Sequence, residues 1–239
     1  SSAATVNIAD GPVPTDVIYV DDTWTDQTAF DLDSDVDDGT GAVETARFNE
    51  NAFNNLAAAL AAVDNGGTII INGGSGGAYT GLVLNKDVTL QISGENAQAV
   101  TISGLSSVAN TTIDIRGTST LTIENATDLE IAGTITGSGD LTKTGAGNLT
   151  LSGNNDYTGS TTVSVGGIVV NSNTALGGTT SGTSVANDAR LELVDGITVT
   201  GENVTVSGSG GDFSGSLRTA AGASAEWAGT VSLNAGARL

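Results

Sequence analysis

Short runs of alternating apolar and hydroxyl residues recur from Thr68 onward. Their period of two predicts β-strands with one buried face and one exposed Thr/Ser face. Gly, Asn or Asp follows most of the runs, and these residues accept the left-handed backbone of tight turns. The predicted strands are Thr68–Asn72, Val88–Ser93, Val100–Ser103, Thr112–Arg116, Leu121–Glu124, Leu129–Ala132, Leu149–Ser152, Thr162–Val165, Ile168–Asn171, Arg190–Leu193, Ile197–Thr200 and Val204–Ser207.

The spacing and the length of these strands favour a parallel solenoid over an antiparallel sandwich. Successive strands lie about 8–12 residues apart, a spacing that both architectures allow. The strands are short for a sandwich, hairpin dipeptides such as Asp195-Gly196 are scarce, and the segments resemble one another as stacked coils do. We therefore expect an all-β fold, a right-handed parallel β-helix (β-solenoid) over residues 68–239, with about 20–25 residues per coil. Leu, Ile and Val should stack on one another inside it.

One segment before the strands has a helical pattern. Residues 51–65 (NAFNNLAAALAAVDN) are rich in Ala and Leu, and Gly66-Gly67 follows as a stop signal. An apolar face at helical spacing is formed by Phe53, Leu56, Leu60 and Val63. We predict an N-terminal capping helix that covers the end of the solenoid. The chain then divides into an acidic N-terminal segment with this helix, residues 1–67, and a parallel β-helix with repeat-like coils, residues 68–239.

The residue types that are missing narrow the chemistry. None of the 239 residues is Cys, His or Met. Ser-His-Asp and Cys-His mechanisms are therefore impossible within this chain, as are disulfides and soft-metal sites. The formal net charge of −20 argues against nucleic acid and anionic membrane surfaces as partners, and it attracts cations.

The sequence also predicts an extracellular location. No run of about 18 apolar residues occurs, so we expect no membrane insertion as a helix. The first five residues, SSAAT, are small and lack the basic and apolar regions of a signal peptide. We expect them to be a mature N-terminus left after such a peptide was removed. A secreted or cell-surface protein is the resulting prediction.

A 32-residue segment closely resembles a known repeat. Residues 140–171 read DLTKTGAGNLTLSGNNDYTGSTTVSVGGIVVN and resemble the autotransporter-associated β-strand repeat, found in β-helical passenger regions of large bacterial surface proteins. The resemblance implies a passenger-type surface protein and carries no known catalytic residue. The positions that match the register of the repeat are Leu141, Lys143, Gly145, Gly147, Leu149, Leu151, Gly153, Asn155, Tyr157, Gly159, Thr161, Val163, Gly167 and Val169.

A second resemblance covers the N-terminal part. Residues 17–72 contain VIYVDD, an acidic stretch, the helical segment and GGTIIING. They resemble the start of secreted pectate-lyase-like β-helix proteins, in which a strand and an acidic loop precede an amphipathic helix and the first coil. The resemblance implies that the solenoid begins near Thr68.

An acidic loop is the sharpest candidate for a metal site. In DLDSDVDDGTGAVE, Asp33, Asp35, Asp37 and Glu44 fall at positions 1, 3, 5 and 12 of an EF-hand-like loop. Alternating carboxylates bring hard oxygens together, as Ca²⁺ requires. Position 6 is Asp38, where the EF-hand has Gly. Two interpretations stay open, a calcium site formed by these four residues and a solvated acidic loop.

Catalysis without His or Cys would depend on carboxylates. Asp114 with Arg116, and Asp128 with Glu130, lie on shared strand faces, and sugar-cleaving β-helices use paired carboxylates. Outward polar residues produce such pairs by chance on any solenoid, so we predict no catalytic residue and no enzyme. The aromatic residues that could stack sugars are scattered, and we expect Tyr157 to pack at a turn.

The sequence therefore predicts a non-catalytic extracellular structural or adhesive β-solenoid of a bacterial surface protein. The alternative is a polysaccharide-active β-helix enzyme, a lyase or a hydrolase. Expected partners are other copies of the chain or the remainder of a longer surface protein, with glycans or host or neighbour surfaces as adhesion targets. Head-to-tail self-assembly into filaments is predicted if the N-terminal 20 residues donate a strand to the C-terminal end of a neighbour.

Overall fold

The computed structural model describes residues 17–20, 52–53, 56–71, 78–93, 99–211 and 214–239. These residues form a solenoid in which every strand pairs in parallel with strands of other coils. Sheet A holds six strands, in the order β2 (Ala52–Phe53), β1 (Val17–Val20), β3 (Gly67–Ile71), β6 (Val88–Ile92), β9 (Thr112–Ile115) and β12 (Thr134–Gly137). The prediction of an all-β parallel solenoid is confirmed, and the handedness of the coil stays a prediction.

Sheets B and C continue along the whole described solenoid. Sheet B contains β4 (Ala78–Thr80), β7 (Ala99–Ser103), β10 (Thr120–Glu124), β13 (Asp140–Thr144), β15 (Thr161–Val163), β17 (Thr183–Val185), β20 (Val204–Val206) and β23 (Val231–Leu233). Sheet C contains β5 (Val83–Leu84), β8 (Ser106–Ser107), β11 (Leu129–Ile131), β14 (Asn148–Leu151), β16 (Gly166–Val170), β18 (Ala189–Leu193) and β21 (Leu217–Thr219). A small sheet D pairs β19 (Thr198–Thr200) with β22 (Glu226–Ala228).

The register between coils is regular where the repeat lies. Thr122 pairs with Thr142, and Thr142 pairs with Thr162, so one coil takes 20 residues there. Side chains alternate along β13 between half-buried and buried, as the period of two requires. Val100, Leu121 and Leu141 stack in one interior column of sheet B. The expectation that apolar residues stack on one another one coil away holds for this column.

The N-terminal elements extend sheet A. β1 pairs with β3, and β2 pairs with the other edge of β1. The helix, α1 (Leu56–Ala62), is shorter than the predicted helix 51–65 and packs against β1 and β2. Ala52–Phe53 is a strand, so the prediction that Phe53 belongs to the helix is wrong. The open edge of β1 offers backbone hydrogen bonds to these two residues, and short helices gain most of their stability from packing.

Leu56, Ala59 and Val63 of this region join the hydrophobic core. The capping role of α1 stays a prediction. The predicted boundary between the N-terminal segment and the β-helix, after residue 67, also stays a prediction, and β3 begins at Gly67. No helix in the described ranges has the length and apolar character that a membrane span needs.

Coils approach closely at glycines. A Cβ atom added at Gly159 would lie 2.0 Å from the backbone oxygen of Gly139 in the preceding coil. At Gly178, by contrast, the nearest atom to such a Cβ would be 3.4 Å away, which is ordinary contact. The glycines of the repeat therefore fix the distance between successive coils, because any side chain at a position like Gly159 would push two backbones apart.

Candidate functional site

A lysine lies inside the solenoid, in the column that is otherwise apolar. Ile123 of the preceding coil and Val163 of the next pair with Lys143 in sheet B, and its side chain is fully buried. Its Nζ donates to the backbone oxygens of Thr144, of Gly145 at 2.7 Å and of Val165 at 3.3 Å. The ammonium group thus binds carbonyls of its own coil and of the following coil.

The electrostatics of Lys143 follow from this position. Burial, with the positive charge of Arg190, lowers its pKa from the ordinary 10.5 to about 8, and Asp128 acts in the opposite direction. Burial of an ammonium is unfavourable unless hydrogen bonds compensate for lost water, and three carbonyls do so in part here.

Asn125 completes this region, which we call the Lys143 corner and define as Asn125, Lys143, Thr144, Gly145 and Val165. The backbone nitrogen of Asn125 donates to the oxygen of Thr144, which also accepts from Lys143. The side-chain Nδ2 of Asn125 donates to the oxygens of Thr127 at 2.7 Å and Asn148 at 2.9 Å. Its Oδ1 is buried and has no hydrogen-bond partner among the described residues.

A second buried asparagine ties three coils together. Oδ1 of Asn155 accepts from the nitrogen of Ile135 at 2.8 Å, and its Nδ2 donates to the oxygen of Ala175 at 2.6 Å. Asn155 is 4% exposed and lies where this coil contributes no strand to sheet A, and its side chain adds to backbone bonds such as the one from Asp156 to Ile135. The asparagine of the repeat is therefore a structural residue that links the coils before and after it.

A buried carboxyl group lies among polar side chains in the C-terminal coils. We define the Glu202 cluster as Tyr157, Thr161, Thr183, Glu202 and Trp227. The hydroxyl groups of Tyr157 and Thr161 lie 2.5 Å apart, and Thr161 pairs with Thr183 in sheet B. Oγ1 of Thr183 donates to Oε1 of Glu202 at 2.8 Å, and Nε1 of Trp227 donates to the backbone oxygen of Glu202 at 3.0 Å.

Glu202 itself is 3% exposed, and its Oε2 has no hydrogen-bond partner in the described part of the chain. Burial raises the pKa of this carboxyl above 4.5, and the hydrogen bond from Thr183 opposes that shift. Tyr157 is fully buried, and burial raises the pKa of its hydroxyl. It packs inside the solenoid, in the segment between β14 and β15, with its hydroxyl bonded to Thr161. That it packs at a turn stays a prediction.

The carboxylates considered for catalysis bind neighbouring groups. Asp114 forms an ion pair with Arg116, with 2.7 Å between Oδ2 and Nε. Oδ1 of Asp128 accepts from the backbone nitrogen of Asn148 at 2.8 Å, and this bond lowers the pKa of Asp128. Oε1 of Glu130 accepts from Oγ of Ser152 at 2.6 Å. Asp128 and Glu130 therefore each bind the next coil.

The predicted calcium ligands, Asp33, Asp35, Asp37 and Glu44, lie outside the described residues. Within the described ranges, no group of three or more acidic side chains is placed to hold a metal ion. Calcium binding at the acidic loop stays a prediction from the sequence.

Comparison with known families identifies one segment. A family model described as a passenger-associated-transport-repeat matches residues 141–170. The matched segment contains Lys143, Asn155 and Tyr157. No curated protein and no solved structure matches the chain.

The repeat and the parallel solenoid together indicate an autotransporter passenger region, secreted or displayed at the cell surface. The predicted resemblance to a passenger-type β-helix is confirmed to this extent. The pectate-lyase-like resemblance of residues 17–72 stays a prediction.

Sequence reasoning missed the buried charges. Lys143 stands two residues after Leu141 in an alternating run, so the period of two alone points its side chain inward. Nothing in the sequence around Glu202 gives an equivalent signal, because it lies between strands, where no alternation assigns a face.

Proposed function

We propose that the chain is a non-catalytic structural or adhesive region of a bacterial surface protein, acting outside the cell as a rigid β-solenoid. The observation that carries the proposal is that the candidate carboxylates are engaged in structural bonds. Asp114 binds Arg116, while Asp128 and Glu130 bind the next coil. A glycosidase needs one carboxyl free to transfer a proton and a second to attack or to activate water.

The outer face of sheet B supports a role as a surface. A line of hydroxyl residues, one per coil, runs along its middle through Thr101, Thr122, Thr142, Thr162, Ser184 and Thr205. The threonines of this line are half-buried and Ser184 is exposed. Strand pairing within sheet B holds their backbone in place. Such a face can be contacted over its whole length by a partner, whereas a polymer-cleaving enzyme needs a cleft around the bond that it cuts.

Two assays separate the structural and the enzymatic functions. The chain is incubated with pectin, alginate and related acidic glycans, and products are followed by ultraviolet absorbance and reducing ends. We expect no turnover. Turnover that is abolished by Asp128→Asn or Glu130→Gln would overturn the proposal in favour of the polysaccharide-active alternative.

The adhesive part is tested with beads that carry the chain, measured for retention on bacterial and host cells and on glycan-coated surfaces. We expect retention that falls when Thr142→Arg and Thr162→Arg are introduced together on the face of sheet B. Thr150→Arg on sheet C is the matched control and should retain binding. Equal loss in both variants would contradict recognition by the sheet B face.

A narrower proposal concerns head-to-tail assembly into filaments. Leu233 and Leu239 are 55% and 67% exposed, and β23 forms one side of the last described coil. An exposed sheet edge beside apolar side chains favours pairing with a strand from another copy. Light scattering and negative-stain microscopy should show fibres that disappear when residues 1–20 are deleted, and a concentration-independent monomer would exclude assembly.

Calcium is proposed as a stabilising ligand of the acidic loop, on the pattern of Asp33, Asp35, Asp37 and Glu44. A ligand that binds the folded chain raises its melting temperature by mass action. We expect a higher melting temperature in millimolar Ca²⁺ than in chelator, and no difference in the variant with Asp33→Asn and Asp35→Asn.

A further inference from the structure

Glu202 differs from the other acidic residues of the described chain in how it is held. Most of those residues lie on the outer surface, whereas the Glu202 side chain is 3% exposed. One carboxyl oxygen accepts from Thr183, and the other has no hydrogen-bond partner in the described ranges. A buried carboxylate with an unpaired oxygen is unfavourable when charged, and much less so when it carries a proton.

Among the described residues, no ion pair joins Glu202 to a positive charge. Of the side chains in its cluster, Thr161, Thr183 and Trp227 are uncharged, and Tyr157 is the titratable group whose electrostatics are coupled to Glu202. Glu226, on the adjacent strand β22, is exposed. Tyr157 holds its proton at neutral pH because burial raises its pKa. The carboxyl is thus the group that changes charge in this cluster as the pH rises from acidic to neutral values.

The cluster connects several coils of the solenoid. Thr183 in β17 donates to the carboxyl of Glu202, which lies between β19 and β20. Trp227 in β22 donates from its indole nitrogen to the backbone oxygen of the same residue. A Cβ atom added at Gly229 would lie 1.8 Å from that oxygen, so the backbone of the last coils is packed directly on Glu202.

We propose that Glu202 is a proton-dependent lock between the C-terminal coils of the solenoid, closed when its carboxyl is protonated and loosened when the carboxyl is charged. Charging the group inside the core requires water or a cation to reach Oε2. The backbone of Glu202 must then move away from Trp227 and Gly229, which weakens the packing of β22. The proposal concerns the regulation of stability and does not depend on an adhesive function.

The sign of the effect follows from linkage. Burial raises the pKa of Glu202 above 4.5, so the folded chain holds this proton over a range in which the unfolded chain has lost it. The contribution of Glu202 to the free energy of unfolding is therefore largest at or below pH 4.5. It falls as the pH rises through the raised pKa, and it is constant above that value.

Trp227 provides a local readout. The chain contains two tryptophans, so Trp24→Phe leaves Trp227 alone to report on the cluster. Its emission is titrated from pH 4 to 9 in this background, with and without Glu202→Gln. We expect a single transition with a midpoint above 4.5, shifted toward the red at high pH as the indole becomes more exposed, and we expect it to vanish with Glu202→Gln. A transition that survives Glu202→Gln, or no transition at all, overturns the proposal.

Two further variants keep the test decisive. Thr183→Val removes the hydrogen bond that opposes the shift, so the midpoint should move to higher pH, and an unchanged midpoint would contradict the assignment. Glu130→Gln removes the same formal charge from the outer surface and should leave the Trp227 transition in place. If Glu130→Gln abolishes it as well, net charge and not Glu202 controls the transition.

Discussion

The Lys143 corner and the Glu202 cluster are two solutions to the same problem, an ionisable side chain inside a solenoid core. Lys143 is fully buried and donates to three backbone oxygens from two coils. Glu202 is almost as buried, yet it accepts one hydrogen bond from Thr183 and leaves Oε2 without a partner in the described ranges.

The difference has a simple origin in parallel coils. Carbonyl oxygens at a turn between strands can point toward the interior, and an ammonium group has three donors for them. A carboxylate needs donors instead, and most backbone nitrogens already donate within the parallel sheets. A solenoid therefore accommodates a buried cation at a corner more easily than a buried anion. We infer that the hydrogen bonds of Lys143 hold its corner together, whereas charged Glu202 lacks an equivalent set. In both groups, burial makes the charged form less favourable in the folded chain than in the unfolded chain.

Replacement of the Lys143 ammonium tests the first half of this comparison and should have the largest effect on the free energy of unfolding. Lys143→Met keeps the apolar stem but removes the hydrogen bonds to the oxygens of Thr144, Gly145 and Val165, of which Thr144 keeps its bond from Asn125. Loss of these charge-assisted hydrogen bonds should lower the free energy of unfolding by about 3 kcal/mol, measured in urea. Thr142→Val, on the outer face of the same strand, should change it by less than about 0.5 kcal/mol. A Met variant as stable as the parent would show that desolvation of the ammonium outweighs its hydrogen bonds.

Backbone contact at the Glu202 cluster gives the next largest effect. Gly229→Ala places a methyl group against the backbone oxygen of Glu202, and the coils must separate to admit it. The expected loss is about 2 kcal/mol, within the usual cost of overpacking. Gly178→Ala is the matched control, because a Cβ there makes an ordinary contact, and its melting temperature should stay near that of the parent. Equal melting temperatures of the two variants would contradict close stacking at Gly229.

Lys143 and Glu202 should change the free energy of unfolding in different pH ranges. The folded pKa of Lys143 is about 8, below the ordinary 10.5, so the unfolded chain binds this proton more tightly. Stability should therefore rise between about pH 8 and 10.5, whereas the contribution of Glu202 falls with pH at the acidic end. Urea unfolding at pH 8 and 10 should show the rise in the parent and not in Lys143→Met. A rise of the same size in Lys143→Met would assign it to another group.

The smallest expected effect concerns the hydroxyl pair that begins the Glu202 cluster. Tyr157→Phe removes the hydrogen bond to Thr161 and should cost about 1 kcal/mol. In a double-mutant cycle, adding Thr161→Val to Tyr157→Phe should cost less than Thr161→Val alone, because the partner is already absent. Strictly additive costs would mean that the 2.5 Å contact contributes nothing to stability.

The sequence was sufficient for the regular part of the solenoid. All twelve predicted runs overlap strands of the structure, because in most of them apolar and polar residues alternate and in the others β-branched apolar residues are continuous. Several strands were missed, among them two whose residues lack a clear apolar face. Ser106–Ser107 has hydroxyl groups on both faces, so neither face reads as buried. Asp140–Thr144 has Lys143 at an inward position, where the alternating pattern expects an apolar residue.

The site was less accessible to sequence reasoning than the fold. The resemblance to a repeat marked Lys143, Asn155 and Tyr157 as positions of a motif, and the family match to residues 141–170 agrees. The bonds of Lys143 to Val165 and of Asn155 to Ile135 and Ala175 depend on the stacking register, which a single coil does not contain. The helix was placed too long because an Ala-rich pattern carries no sign that the open edge of β1 would recruit Ala52–Phe53.

The reach of Lys143 into the following coil has a kinetic consequence. Two of its acceptors, the oxygens of Thr144 and Gly145, are in the chain as soon as β13 turns, but the third, on Val165, arrives only when β15 has been laid down. Stacked repeats fold by propagation from neighbour to neighbour. A partly wound chain that ends at β13 therefore leaves the Lys143 ammonium open to water, and the next coil replaces that water by one carbonyl oxygen. Stacking of this coil should therefore be a slow step in winding, because the charge must lose its water before the coil closes over it.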